Sequence, residues 1–95
     1  MRYGMVIDLK RCIGCRACVV ACKAENGTPP GMFWREVFQW EYGKYPRVGR
    51  TYLPRPCMHC KEPACLNVCP SGATQKRADG IVWIDHDRCI GCRYC

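Results

Sequence analysis

Cysteine is the feature that most constrains what this chain can fold into, because it accounts for 11 of the 95 residues. The cysteines form three ordered groups with the spacings C-x2-C-x2-C-x3-C, C-x2-C-x4-C-x3-C and C-x2-C-x2-C. Small domains with thin apolar cores usually depend on disulfides or bound metal, so this density predicts a cross-linked or metal-bound fold. The three groups are Cys12, Cys15, Cys18 and Cys22; Cys57, Cys60, Cys65 and Cys69; and Cys89, Cys92 and Cys95.

Disulfides are the weaker explanation of the cysteine content. An odd number of thiols cannot pair completely, and because the first one stands at position 12 we expect no secretory leader. Without a leader the expected compartment is reducing, where disulfides are rare. No stretch approaches the roughly 18 apolar residues of a spanning helix, so we expect no direct membrane span. The cysteines are therefore predicted to be metal ligands.

An internal repeat relates the first and third cysteine groups. The segment Ile7 to Cys18 matches Ile84 to Cys95 at nine of twelve positions. Both copies predict a short strand, at residues 5–7 and 81–84, that leads through an aspartate into a tight cysteine loop.

The remaining segments predict a mixed α+β fold of ferredoxin-like modules with short strands, cysteine loops and short helices. A helix is expected over 16–25, ended by Asn26-Gly27, and a helical turn over 63–68. An aromatic, proline-rich insert predicts a hairpin-like pair of strands at 34–42 and 50–53. We divide the chain into a first cluster half-module (1–27), the insert (28–56) and a second, truncated ferredoxin-type module (57–95).

The cysteine spacing favours [4Fe-4S] clusters. A C-x2-C-x2-C loop wraps three thiolates round one face of a cubane, and the last cysteine of such a run serves another cluster. Gly14 and Gly91 supply the permissive backbone that such loops need. The rival interpretation is a zinc-binding nucleic-acid module, because the second group is close to a zinc-knuckle spacing and the chain carries a formal charge of +7. Eleven thiolates bring −11 and three oxidised cubane cores of about +2 each bring roughly +6, so the loaded chain would carry about +2, which weakens the nucleic-acid interpretation.

The sequence resembles the iron–sulfur electron-transfer subunits of the molybdopterin oxidoreductases, the family of dimethyl-sulfoxide, polysulfide, thiosulfate and tetrathionate reductases. The residues that carry the resemblance are the motif at 12–22, the run RPCMHCKEPAC at 55–65, CPSGA at 69–73, and DGIV at 79–82 leading to CIGCRYC at 89–95. The match covers essentially the whole chain.

The resemblance implies four [4Fe-4S] clusters held by four cysteine motifs, of which the first pairs with the fourth and the second with the third. Carried onto this chain, Cys12, Cys15 and Cys18 hold one cluster, and Cys57, Cys60 and Cys65 hold a second, each without its fourth ligand. A third cluster has a complete set in Cys69, Cys89, Cys92 and Cys95, and Cys22 serves a fourth whose other ligands are missing. We therefore expect a C-terminally truncated chain.

The function implied by the resemblance is electron transfer, with no catalytic site in this chain. The expected partners are a catalytic subunit with a molybdenum or tungsten pterin cofactor and a membrane anchor or quinone-linked protein, with no nucleic acid. The complex would lie on the cytoplasmic face or be co-exported. A free soluble multi-cluster ferredoxin and the zinc module are the alternatives. Among other residues, His59 is expected to be a polar neighbour of the second group rather than a tuning group, and Arg11, Arg16, Arg88 and Arg93 flank the cluster loops.

Overall fold

The computed structural model describes residues 1–95 and contains two short helices and two antiparallel strand pairs. In chain order these are α1 (Ala17–Asn26), β1 (Glu36–Lys44), β2 (Arg47–Arg55), α2 (Ala64–Val68), β3 (Thr74–Lys76) and β4 (Val82–Ile84). The chain divides into two compact units, residues 5–57 and residues 1–4 with 58–95. The three-segment division made from the sequence stays a prediction.

The unit of residues 5–57 contains α1 and the hairpin of β1 and β2. The helix begins after Arg16 and ends at Gly27, which adopts the left-handed conformation with φ 59°, as expected of a glycine just past a helix end. The predicted helix over 16–25 is thus confirmed to within a residue. Val19 and Val37 are the buried hydrophobic residues of this unit.

The insert forms the predicted hairpin; β1 has the expected nine residues but begins two residues later, and β2 is longer than expected. β1 and β2 pair in register from Glu36 opposite Arg55 to Lys44 opposite Arg47. The two strands are joined by Tyr45 and Pro46, whose peptide bond is cis. Phe38 and Trp40 stack on each other, with ring centroids 6.2 Å apart.

The second unit is built round the short pair of β3 and β4. Gln75 lies opposite Trp83 at its centre, and Ala73, Thr74 and Val82 are buried. The helical turn predicted over 63–68 is confirmed as α2, which ends where Pro70 prevents its continuation.

One predicted strand is wrong. Residues 5–7 form no strand, and Val6 is almost fully exposed. The counterpart of residues 5–7 in the repeat is β4, which is a strand because β3 lies alongside it. No other strand pairs with residues 5–7. A strand needs a partner for its backbone N–H and C=O groups, and the sequence repeat duplicates the strand without duplicating that partner.

Candidate iron–sulfur sites

The two copies of the sequence repeat adopt the same local backbone. In each copy the aspartate, Asp8 or Asp85, accepts a bond from the N–H two residues later, at 3.0 and 3.1 Å. The carbonyl of the same aspartate accepts the N–H of the first cysteine, Cys12 at 3.2 Å and Cys89 at 3.0 Å. These bonds turn the chain sharply into the cysteine loop, as Asx-turns do.

The loops themselves are also conformational copies. Gly14 and Gly91 have φ values of 71° and 70°, and Arg16 and Arg93 have 60° and 61°. The predicted need for glycine in the loops is confirmed at both positions, because the left-handed region favours glycine. The two arginines adopt the same region with a side chain, which the sequence did not indicate.

The cysteines of the first group lie in the loop before α1 and on the helix. Cys12, Cys15 and Cys18 come from the loop and the first helical turn, and Cys22 follows one turn after Cys18 on the same helix face. Asn26 donates from Nδ2 to the carbonyl of Cys22 at 2.9 Å and to its sulfur at 3.5 Å. A donor to Cys22 Sγ is thus already in place.

The second group runs from the end of β2 to the end of α2. Cys57 follows β2, Cys60 lies in the next loop, Cys65 lies in α2 and Cys69 directly follows it. All eleven cysteines have free thiols. No three His, Cys, Asp or Glu side chains converge closely enough to hold a single metal ion, whereas a cubane takes its four ligands at separate corners of a cube.

Four cysteines line one cavity in the second unit. Cys69 contributes from the end of α2, and Cys89, Cys92 and Cys95 contribute from the loop after β4. The rest of the lining is mostly apolar or small and includes Ala73, Ile84, Ile90 and Tyr94. Four thiols without a histidine or carboxylate are the donor set that [4Fe-4S] clusters take. The residues present therefore fit a cubane.

Hydrogen bonds to the sulfur of Cys69 stabilise its thiolate form. The backbone N–H of Thr74 donates to it at 3.5 Å and the Ser71 hydroxyl lies 3.7 Å away. The Thr74 backbone N–H, the hydroxyls of Thr74 and Ser71 and, more weakly, the Ala73 N–H lower the pKa of Cys69 from 9.0 to about 6, although desolvation acts in the opposite direction. Hydrogen bonds that favour the charged form of a ligand also favour metal binding.

Several contacts round the cysteine loops carry no sequence signal, because they join residues far apart in the chain. The ring of Tyr52 in β2 lies directly against Gly14. Lys76 donates from Nζ to the carbonyls of Cys60, at 3.2 Å, and Lys61. His59 accepts a bond from the Val82 N–H at 3.0 Å, so it is an anchored residue and not only a polar neighbour. Arg88 donates to the Ser71 carbonyl at 3.3 Å.

Comparison with known proteins identifies the family to which the chain belongs. The family model of the 4Fe-4S dicluster domain matches residues 48–95, which is half of the chain. This protein belongs to the 4Fe-4S dicluster family. A second model, a 4Fe-4S binding domain, matches residues 3–24 of this dicluster protein. The two matches include all eleven cysteines, so the cofactor is the [4Fe-4S] cluster.

The relatives of this dicluster protein include the B subunits of several reductases. It is 58% identical over 95 residues to the B subunit of the selenate reductase of Mesobacillus selenatarsenatis, covering 100% of this chain and 32% of the relative. It is 50% identical to the B subunit of the tetrathionate reductase of Salmonella typhimurium, covering 99% and 38%. It is 43% identical to the B polypeptide of the anaerobic dimethyl sulfoxide reductase of Escherichia coli, covering 99% and 50%. The chain thus spans between a third and a half of these relatives.

Neither helix has the length and apolar character needed to cross a membrane.

Proposed function

We propose that the chain conducts electrons through several [4Fe-4S] clusters as part of the iron–sulfur subunit of a molybdopterin oxidoreductase. When bound, such a cluster accepts and releases single electrons, and the protein sets its potential through ligands, hydrogen bonds and burial. This chain's task is to present thiolates and to donate hydrogen bonds to their sulfurs. The substrate reaction would belong to another subunit.

The cavity lined by Cys69, Cys89, Cys92 and Cys95 is the observation that carries the proposal. We assign these four cysteines to one cluster. The hydrogen-bond donors of Thr74 and Ser71 favour the thiolate form of Cys69 even without bound metal. The assignment joins the last cysteine of one motif to the first three of the next, as in bacterial two-cluster ferredoxins.

The other ligand sets follow the same rule. Cys12, Cys15 and Cys18 would hold a second cluster and Cys57, Cys60 and Cys65 a third, each with one further ligand. Cys22 would serve a fourth cluster. The greater length of the relatives supports this proposal of a larger, four-cluster polypeptide.

The proposed partners follow from the complexes to which the relatives belong. One is a catalytic subunit with a molybdenum or tungsten pterin, and the other is a membrane anchor or another quinone-linked protein. The exposed aromatic side chains of the insert, among them Trp40 and Tyr42, are suited to contact a partner, since aromatic residues are enriched in interfaces.

Anaerobic purification of the full chain tests the cofactor and the ligand assignment. Iron and acid-labile sulfide should be present in equal amounts, and a C69S variant should lose the electron paramagnetic resonance (EPR) signal of one cluster while the others remain. N67S, an exposed substitution on α2, is the matched control and should keep every signal. A colourless protein that contains zinc and no sulfide would refute the proposal.

Co-purification tests the partners. The native protein, isolated anaerobically from its source, should bring with it a pterin-containing polypeptide. A protein that is isolated alone and reduces several unrelated acceptors at similar rates would instead be a free ferredoxin.

A further inference from the structure

The second cysteine loop has a histidine where the other two loops have glycine. The runs Cys12-Ile13-Gly14-Cys15 and Cys89-Ile90-Gly91-Cys92 place glycine directly before the second cysteine, and the run Cys57-Met58-His59-Cys60 places His59 there. All three residues adopt positive φ, 71° and 70° for the glycines and 46° for the histidine. The second loop thus makes the same left-handed turn without the residue that makes it easily.

A side chain at positive φ costs free energy, so a compensating interaction is required. His59 has one, because its Nδ1 accepts the backbone N–H of Val82 at 3.0 Å. Val82 is buried, and a buried N–H without an acceptor is itself destabilising. One hydrogen bond therefore satisfies a buried donor and holds the histidine in its turn.

The acceptor role also defines the protonation of the ring. An imidazole nitrogen that accepts a bond carries no proton, so the proton of the neutral ring lies on Nε2.

Val82 belongs to β4, where it lies opposite Lys76 of β3. The N–H of Arg77 bonds to Ile81, and because antiparallel ladder bonds alternate, the Val82 N–H faces away from β3. His59 thus binds the outer edge of the strand pair.

A second contact joins the same loop to the same strand pair. Lys76 donates to the carbonyls of Cys60 and Lys61. The loop is therefore attached to β4 through a side chain of its own and to β3 through a side chain of the strand. The backbone on both sides of Cys60 is held in place.

We propose that His59 is a positioning residue for the cluster of the second motif: its bond to Val82 keeps the loop in the left-handed turn that orients Cys57, Cys60 and the intervening amides. This inference rests on the proposed function. The first and third loops adopt the turn because glycine tolerates positive φ. The second loop adopts it because a tether, the hydrogen bond between His59 and Val82, holds it to β4. The tether therefore couples the geometry of this loop to the strand pair.

Three substitutions at one position separate the two properties of His59. H59N keeps an acceptor on a side chain that tolerates positive φ. H59G keeps the freedom of the backbone and removes the acceptor, and H59A removes both. All are made in the full chain, purified anaerobically with its clusters.

Two measurements are made on each variant. Hydrogen–deuterium exchange of the peptide that covers residues 81–84 reports the bond to Val82, and an EPR-monitored redox titration reports the cluster potentials. H59G should speed exchange of that peptide roughly tenfold, as expected from the loss of one hydrogen bond, and should shift the midpoint potential of one cluster. H59N should match the native protein in both, and H59A should lose that cluster or show a larger shift than H59G.

Other results would overturn the inference. Unchanged exchange in H59G would show that the bond contributes nothing, and faster exchange with unchanged potentials would show that it is structural only. H59N behaving like H59A would exclude the acceptor as the relevant property. A native protein that is folded with zinc and contains no iron or sulfide would refute the proposed function separately, because the exchange experiment still reports the bond between His59 and Val82 in a folded protein.

Discussion

At the scale of single residues, glycines with the same backbone conformation have different surroundings. Gly14 and Gly91 occupy equivalent places in the repeat and have nearly the same φ. A methyl group at Gly14 would lie 2.3 Å from a ring carbon of Tyr52, whereas one at Gly91 would meet nothing within 4 Å. The repeat therefore preserves the turn, and the hairpin distinguishes the first loop from the third.

Replacing each glycine by alanine should reveal this difference. Both variants bear the cost of a side chain at positive φ, about 1 kcal/mol. Only G14A also forces Tyr52 away, so its loss of stability should be larger by about 1–3 kcal/mol. The thermal midpoints of the anaerobically purified variants measure this, and the double variant G14A/Y52A should lose less than G14A alone. Equal losses in G14A and G91A would contradict the expectation.

Ser71 offers a test of how single donors tune a cluster. Its hydroxyl lies 3.7 Å from Cys69 Sγ and helps to lower the pKa of that thiol. A hydrogen bond to a ligand sulfur stabilises the more negative, reduced state, so S71A should lower the midpoint potential of the cluster assigned to Cys69 by tens of millivolts, roughly 20–60 mV. S71T keeps the hydroxyl and should stay near the native value. A potential that rises in S71A would contradict the assigned donor.

At the scale of elements, one lysine fixes the chain after α1. Lys23 donates from Nζ to the carbonyls of Thr28, Pro29 and Met32, at 3.4, 3.0 and 2.7 Å, and to the Thr28 hydroxyl at 3.1 Å. Its ammonium also lies 4.7 Å from the centre of the Phe33 ring. A single charged group thus holds the segment between the helix and β1 in place.

Loss of the Lys23 ammonium should make residues 28–33 more mobile. In K23M the carbonyls lose their donor, so cleavage within 28–33 by a low concentration of chymotrypsin should become roughly tenfold faster, because such cleavage reports local opening. K44M, which replaces an exposed lysine at the end of β1, should be cleaved at the native rate. Equal rates in the native protein and K23M would show that the bonds of Lys23 do not limit opening.

The elements also show which parts of the fold are predictable from sequence. α1 and the hairpin carry local signals: Asn26-Gly27 ends the helix, and Phe38, Trp40 and Tyr42 alternate along the strand. β3 carries none, because it has three residues and no apolar alternation. The strand predicted at 5–7 does not form because the repeat supplies its sequence pattern but no second strand with which it could pair. The cysteine spacing predicts the ligands, whereas the contacts of Tyr52, Lys76 and His59 depend on long-range folding that spacing does not encode.

At the scale of the whole molecule, little of the stability can come from an apolar core. The buried hydrophobic residues are Val19, Val37, Ala73 and Val82, and no large side chain is fully buried. At about 25 cal/mol for each Å² of apolar surface buried, so few residues offset only a small part of the conformational entropy of the chain. We expect the bonds between thiolates and clusters to supply much of the remainder, as structural metals do in other small domains.

Removal of the clusters should therefore unfold the chain. Treatment with an oxidant and a chelator, followed by desalting, should abolish the cooperative thermal transition seen by circular dichroism, because the ligand bonds that join distant cysteines are lost. Reconstitution with iron and sulfide should restore the transition, and reconstitution with zinc alone should not. A metal-free chain that still melts in one sharp transition would mean that the strands and helices are stable without the clusters. The clusters would then bind to a chain that is already folded.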